Sequence, residues 1–70
     1  MNQSNDEQIG LVVEFDRHRG LGTIESDGAR YLFHCAELLD GSRDIAVGAE
    51  VSFVTVTRFG LLEASNINKR

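Results

Sequence analysis

The chain has 70 residues, of which 41% are hydrophobic and 26% are charged, so it is long enough for one small domain with a thin core. Its formal net charge of −4 argues against a broad basic surface that would grip a phosphate backbone along its length. A single cysteine excludes an internal disulfide, and no set of Cys and His residues has the spacing of a zinc site.

The expected location is the cytoplasm. One cysteine suits a reducing compartment, and the polar start of the chain lacks the profile of a signal peptide. No apolar stretch is long enough to cross a membrane, so no membrane association is expected. No cofactor is predicted. The body of the chain, residues 9–70, has seven basic and nine acidic side chains, which leaves room for a local basic patch.

In chain order, residues 1–8 are polar without an apolar period, which predicts a disordered tail before a domain that spans residues 9–70. Residues rich in Val, Ile, Phe and alternating apolar positions predict five strands, at 9–15, 21–25, 30–34, 50–57 and 61–67. Asp27-Gly28, between the second and third strands, is the strongest short hairpin signal in the chain. Residues 35–39 are long enough for one helical turn.

Five short strands without a long helical pattern predict an all-β fold, a small antiparallel barrel. Closing the sheet removes the exposed edges that a flat five-stranded sheet would leave. Barrels of the SH3 kind have the same number of strands, and periodicity alone does not separate the two types.

Five segments together resemble the cold-shock domain family. Residues 19–24, Arg-Gly-Leu-Gly-Thr-Ile, are similar to its first motif, K-G-F-G-F-I, and residues 31–35, Tyr-Leu-Phe-His-Cys, to its second, V-F-V-H-F. Residues 10–16, 47–53 and 63–67 resemble three further family segments in the same order and spacing. The resemblance covers residues 9–68 and implies a five-stranded Greek-key barrel of the OB-fold, cold-shock-like type.

The resemblance also implies a function. Cold-shock domains lay unstacked bases of single-stranded RNA or DNA on aromatic rings along their first three strands. In this chain the family's aromatic positions are occupied by Glu14, Leu21, Thr23, Leu32 and Cys35. At about 1 kcal/mol per stacked base, five lost rings would cost roughly 5 kcal/mol if the contacts were additive, or on the order of a thousandfold in affinity.

Other family positions are retained. The predicted core positions all remain apolar, namely Val12, Ile24, Tyr31, Phe33, Val51, Phe53 and Ile67. His34 keeps the family's histidine, Arg19 keeps a positive charge and Phe15 keeps a phenylalanine.

Arg17, His18, Arg19, Arg30 and Arg58 are expected to gather at one side of the barrel, where the arginines would meet phosphates. The alternative is ordinary surface charge, paired with the strand acids Glu14, Asp16 and Glu25. Phe59, at the tip of the last turn, is expected to be exposed; its ring could stack on a base or anchor a partner, or fold back over the barrel end, and the fold-back is favoured. The predicted nucleic-acid-binding residues are Glu14, Phe15, Arg17, Arg19, Leu21, Thr23, Arg30, Leu32, His34, Arg58 and Phe59.

The sequence therefore favours a non-catalytic protein that binds single-stranded RNA or DNA, more weakly than is typical for the family. The alternative is a protein-interaction module on the same barrel. In that case Val13, Leu21, Leu32 and Cys35 would form an apolar contact with a partner or a second copy, and Glu14 would select against nucleic acid. A third interpretation is that a loop or the tail covers these apolar residues. No constellation of residues indicates an enzyme.

Overall fold

A computed structural model describes residues 7–70 of the chain. The predicted tail falls mostly on residues 1–6, which lie outside this range, and the first strand begins one residue before the predicted start of the domain. The strands are β1 (Gln8–Asp16), β2 (Leu21–Ser26), β3 (Ala29–His34), β4 (Glu50–Arg58) and β5 (Leu61–Lys69), with a short 3-10 helix at Cys35–Glu37. They form a closed barrel in the order β1-β2-β3-β5-β4. The predicted all-β barrel is confirmed.

The pairing of β5 explains how the barrel closes. β5 runs antiparallel to β4, but meets β3 in parallel at Leu32 and Glu63. A further parallel bridge joins Leu38 to Ile67, just after the 3-10 helix. Within residues 7–70 no helix has the length and apolar character needed to cross a membrane.

Tight turns connect the strands of two hairpins, β2–β3 and β4–β5. Asp27 and Gly28 both have positive φ, of 53° and 82°, and Ser26 pairs with Ala29 across the turn. Positive φ at both central residues is the geometry of a type I′ turn, which matches the twist of the flanking strands. The hairpin predicted from Asp27-Gly28 is confirmed.

The core occupies the inner faces of the strands. Its largest buried side chains are those of Val12, Ile24, Phe33, Val51, Phe53 and Ile67, each no more than 1% exposed. Tyr31, the remaining predicted core residue, is half-buried and lies with its ring 5.6 Å from that of Phe53. Cys35, Leu38, Ile45 and Ala64 complete the core.

A β-bulge in β1 decides which side chains face outward. The register with β2 shifts between Val12 and Glu14, so Val13 is the extra residue. A bulge interrupts the strict alternation of a strand. Val12 points into the core, and beyond the bulge Phe15 also points inward, where its ring stacks on Phe33 with centroids 6.0 Å apart. Glu14 consequently lies on the outer face.

Gly22 makes room for this aromatic pair. It lies opposite Phe15 on one side and Phe33 on the other. A Cβ atom at this position would come within 2.5 Å of Phe33 Cε1 and 2.9 Å of the Glu14 carbonyl oxygen. The absence of a side chain at Gly22 therefore lets the Phe33 ring lie close to β2.

Candidate nucleic-acid interface

The outer face of the first three strands presents two short rows of side chains. The strand registers align residues across β1, β2 and β3. Because side chains on alternate positions share a face, the residues beside the buried ones point outward together. The first row is Glu14, Thr23 and Leu32, and the second row is Asp16, Leu21 and His34.

A groove of about 530 Å³, here called groove one, crosses the first row. Its polar side chains are Glu14, Asp16, Arg19 and Thr23. Thr23 is 8% exposed and donates its hydroxyl to Glu14 Oε1 at 3.3 Å. Thr23 therefore forms part of the groove floor, where a base cannot stack on it directly. The apolar lining consists of Val13, Phe15, Leu21, Leu32 and Val47, with Gly22 between them.

A second groove of about 310 Å³, groove two, lies between β3 and the end of the β4–β5 hairpin. It is more apolar, and it is lined by Leu21, Leu32, Phe33, His34, Arg58, Phe59 and Glu63. Leu21 and Leu32 line both grooves and are 45% and 55% exposed. The two grooves are therefore neighbours that share these two leucines as a common border.

Nine of the eleven predicted binding residues line these grooves. The two that do not are Arg17 and Arg30. Arg30 lies opposite Glu25, near the β2–β3 hairpin, whereas Arg17 and Arg19 lie in the turn before the other end of β2. The expectation that all four arginines gather at one side was wrong. Arg30 lies beside the β2–β3 turn, at the opposite end of β2 from the turn that contains Arg17 and Arg19.

His34 is held in one orientation by the chain that follows it. Its Nδ1 accepts a hydrogen bond from the Ala36 N–H at 3.1 Å and so caps the 3-10 helix. A neutral imidazole whose Nδ1 accepts has its proton on Nε2. The ring is exposed in groove two, where it offers a face for stacking and one donor.

The two phenylalanines of the predicted site occupy different environments. Phe15 packs against the core, and the exposed part of its side chain lines groove one. Phe59 is fully exposed at the β4–β5 turn, with φ of 53°. The expectation that Phe59 folds back over the barrel end was wrong, since the tight turn from Arg58 to Leu61 directs its side chain into solvent.

Three of the four arginines are paired with acidic groups. Arg17 meets Asp44 at 2.8 Å, and Arg19 lies 3.7 Å from Asp16. Both pairs are well exposed, so each contributes little and is readily exchanged for a phosphate. The pairing acids differ in part from those expected along the strands, because Asp44 comes from the long loop before β4.

Arg58 is held more firmly, at the edge of groove two. Its guanidinium lies 3.4 Å from Glu37 and 3.5 Å from Glu63, and both carboxylates are largely shielded from solvent. The Ser65 hydroxyl donates to Glu37 at 2.6 Å. This hydrogen bond, with weaker ones from the Asn66 N–H and Arg58, holds the pKa of Glu37 below its usual range, although burial opposes the effect. The charge of Arg58 is therefore already neutralised by two carboxylates of the barrel.

Sequence reasoning missed several lining residues and the acidic partners of Arg17 and Arg58. Val47 and Glu63 line the grooves from an irregular loop and from β5, where the apolar alternation is weak. Glu37 and Asp44 are separated from their arginines by 21 and 27 positions. No local pattern in the sequence indicates these pairs, whereas the family segments did indicate the face itself.

Cys35 does not belong to the outer surface. It is buried, and Gly20 lies so close that a Cβ there would come within 2.7 Å of its Sγ. The expectation that Cys35 contributes to an apolar docking surface was wrong, because the 3-10 helix turns it into the core. Among residues 7–70, no three His, Cys, Asp or Glu side chains group as metal ligands would.

A closed five-stranded barrel with an open outer face on its first three strands defines a small OB-fold domain. The structure is similar to a solved chain, drosophila Unr CSD456, with a TM-score of 0.80 and 28% sequence identity over 96% of this chain. This chain corresponds to 28% of that longer one. No protein-family model matches the sequence, and no curated protein matches it. The chain is therefore a cold-shock-like OB-fold domain.

Proposed function

We propose that the chain is a non-catalytic protein that binds single-stranded RNA or separated DNA strands, with weaker affinity than an aromatic-rich cold-shock domain. The observation that carries the proposal is the meeting of grooves one and two at Leu21 and Leu32. Together the two grooves extend across the outer face of β1–β3, which corresponds to the face that cold-shock domains use for bases. The proposed location is the cytoplasm, consistent with a buried, unpaired Cys35.

Phe59 supports the proposal independently. A bulky side chain in the left-handed region costs on the order of 1 kcal/mol, and Asn, Asp or Gly would relieve that cost in such a turn. The ring is fully exposed, so packing within the described residues does not compensate. Strain of this kind indicates a use outside the fold. In the proposal, Phe59 and His34 supply the stacking surfaces of groove two.

The electrostatics predict modest affinity. Glu14 and Asp16 lie in groove one, and Arg58 must exchange two carboxylates before it can contact a phosphate. Arg19, with its exposed and loosely paired guanidinium, is the more available cation. A protein that neutralises few phosphates loses affinity with salt along a shallow slope, about −0.7 per phosphate for single strands.

Fluorescence anisotropy with labelled heptamers of DNA and RNA, at low and moderate salt, tests the proposal. We expect micromolar binding that weakens as salt rises. His34→Ala should weaken binding about fivefold, as expected for the loss of one stacking contact of about 1 kcal/mol. The absence of binding at high protein concentration in low salt would overturn the proposal.

Two further variants separate the ring of His34 from its capping role. His34→Asn keeps a side-chain acceptor for the Ala36 N–H but removes the ring, so it should lose as much affinity as the alanine variant. Leu32→Ala should weaken binding, while Leu62→Ala should not. Leu62 is the matched control, because both leucines are 55% exposed and Leu62 lines neither groove.

A second candidate function is protein interaction. The observation that favours it is the set of exposed apolar side chains in groove two, Leu21, Leu32 and Phe59. Two further exposed leucines, Leu61 and Leu62, follow Phe59 on the β4–β5 hairpin. Such patches mark interfaces in many soluble proteins. Sedimentation at rising concentration would show self-association, and a heteromeric partner would compete with any oligonucleotide that binds the face.

A further inference from the structure

Groove one contains a carboxylate whose hydrogen-bonding capacity is largely unused. Glu14 Oε1 accepts from the nearly buried Thr23 hydroxyl, which anchors the carboxylate to the groove floor. Among the ion pairs of residues 7–70, none includes Glu14. By contrast, Asp16 in the same groove accepts from the N–H groups of His18 and Arg19. Glu14 is therefore the acceptor that groove one presents to a ligand.

A carboxylate can take only hydrogen-bond donors, which excludes phosphate and restricts it to base edges and sugar hydroxyls. The bases differ in what they offer. Guanine presents N1–H and the N2 amino group side by side, and a carboxylate accepts two parallel N–H groups in the same way as it accepts an Arg fork. Adenine and cytosine offer an amino group beside an acceptor nitrogen. Thymine and uracil offer one N–H between two carbonyl oxygens.

The rest of groove one suits a base held by such a pair of bonds. Its apolar lining, which includes Val13 and Val47, gives a base apolar surface to pack on beside the carboxylate. The groove volume, about 530 Å³, lies within the range of small-ligand pockets. Arg19 lines the same groove, and its guanidinium donors suit the O6 acceptor that neighbours N1 in guanine.

We propose that Glu14 makes this domain select guanine within single-stranded nucleic acid, by accepting the N1–H and N2 amino hydrogens in groove one. The inference rests on the proposed function and adds a base preference to it. It separates two contributions on one face: groove two stacks bases of any kind, and groove one reads a particular edge.

Three DNA heptamers test the inference. One is all thymine, one has a single central guanine, and one has hypoxanthine at that position, which lacks only the N2 amino group. One guanine per strand also prevents quadruplex formation. We expect the guanine heptamer to bind roughly tenfold more tightly than the hypoxanthine heptamer, as a hydrogen bond to a charged group predicts.

Two charge-matched variants assign the preference. Glu14→Gln should bring the guanine-to-hypoxanthine ratio close to one. Glu25→Gln removes the same charge from the same outer face, opposite Arg30 and outside both grooves, and should leave the ratio unchanged. Any general gain in affinity from reduced repulsion should be similar in both variants.

The outcomes separate this inference from the proposed function. Equal binding of the guanine and hypoxanthine heptamers, or a preference that survives Glu14→Gln, would overturn the guanine assignment while single-strand binding stands. A failure of all three heptamers to bind would overturn both. A preference lost only in Glu14→Gln would support both.

Discussion

The inner and outer faces of β1–β3 are made by the same three strands, yet they obey different constraints. On the inner face, Val12, Ile24 and Phe33 are excluded from solvent and packed against one another. On the outer face, Leu21 and Leu32 are apolar but about half exposed. The fold therefore depends on one set of alternate residues, and the proposed binding surface on the other. A chain can therefore keep a cold-shock-like barrel while its outer face changes.

The largest effect that this comparison predicts is a difference between neighbours in β3. Phe33→Ala removes a fully buried ring that stacks on Phe15, and should cost about 3–5 kcal/mol in the free energy of unfolding. Leu32→Ala, one residue earlier, should cost about 0.5 kcal/mol or less because its side chain is exposed. Urea denaturation followed by circular dichroism measures both.

Because a domain of this size is stabilised by only about 5 kcal/mol, Phe33→Ala is expected to be largely unfolded. Phe33→Leu keeps more of the buried volume and should remain folded, so the ranking of inner over outer positions can still be measured. Similar losses for Leu32→Ala and Phe33→Leu would break the comparison.

A smaller effect is expected at Gly22. There the substitution would destabilise the inner face by overcrowding it, whereas Phe33→Ala destabilises it by removing contacts. The added methyl of Gly22→Ala would press on the Phe33 ring and on the Glu14 carbonyl, and should destabilise the domain by about 2 kcal/mol. Gly28→Ala provides the control: no atom would lie within 4 Å of its Cβ, but its φ is 82°. That variant reports backbone strain alone, about 1 kcal/mol. A lower cost at Gly22 than at Gly28 would contradict the packing argument.

The inner face was predictable from the sequence to a large extent. Alternating apolar residues located the strands, and Asp27-Gly28 located a hairpin, because both signals are local. Six of the seven predicted core residues are fully buried. The bulge at Val13 was not predictable, since it depends on β1 pairing with β2 at one end and with β4 at the other. Strict alternation continued through the bulge would wrongly place Glu14 on the inner face and Phe15 on the outer face.

The outer face was only partly predictable. The family segments indicated which strands form it, and most of the predicted residues do line the two grooves. The charges were less predictable because ion pairs such as Arg17–Asp44 join residues far apart in sequence. The direction of the Phe59 ring was also predicted incorrectly, because it follows from the positive φ of a turn rather than from hydrophobicity.

A smaller effect again is expected at Glu37, which lies between the core and the outer surface. Its carboxylate links the 3-10 helix to β5, beside groove two. Its pKa is lowered by the Ser65 hydroxyl, and then by the Asn66 N–H and Arg58. The carboxylate therefore stabilises the fold above its ordinary pKa of 4.5, and this stabilisation is lost as the pH falls through the lower folded value. Glu37→Gln should cost about 1 kcal/mol at neutral pH and progressively less in acid.

Thermal unfolding of Glu37→Gln and the unmodified chain across the acid range checks this sign. The same variant should bind oligonucleotides at least as tightly as the unmodified chain, because Arg58 loses one of its two carboxylate partners. A stability difference that grows as the pH falls would contradict the assignment of Glu37 as an ionised acceptor.

The smallest effect is expected at Asp40, in the loop before β4, where the hydrogen bond from Lys69 at 2.8 Å lowers the pKa of Asp40 to about 2. Asp40 is solvent-exposed, so the surrounding water and salt screen the pair and its contribution should be slight. Asp40→Asn should lower the melting temperature slightly at neutral pH. The difference should shrink as the pH falls from 3.8 toward about 2, and also at high salt. If Asp40→Asn destabilised the domain as much as Gly22→Ala, an exposed network would rival the packed inner face, and the fold could not be attributed to the inner face alone.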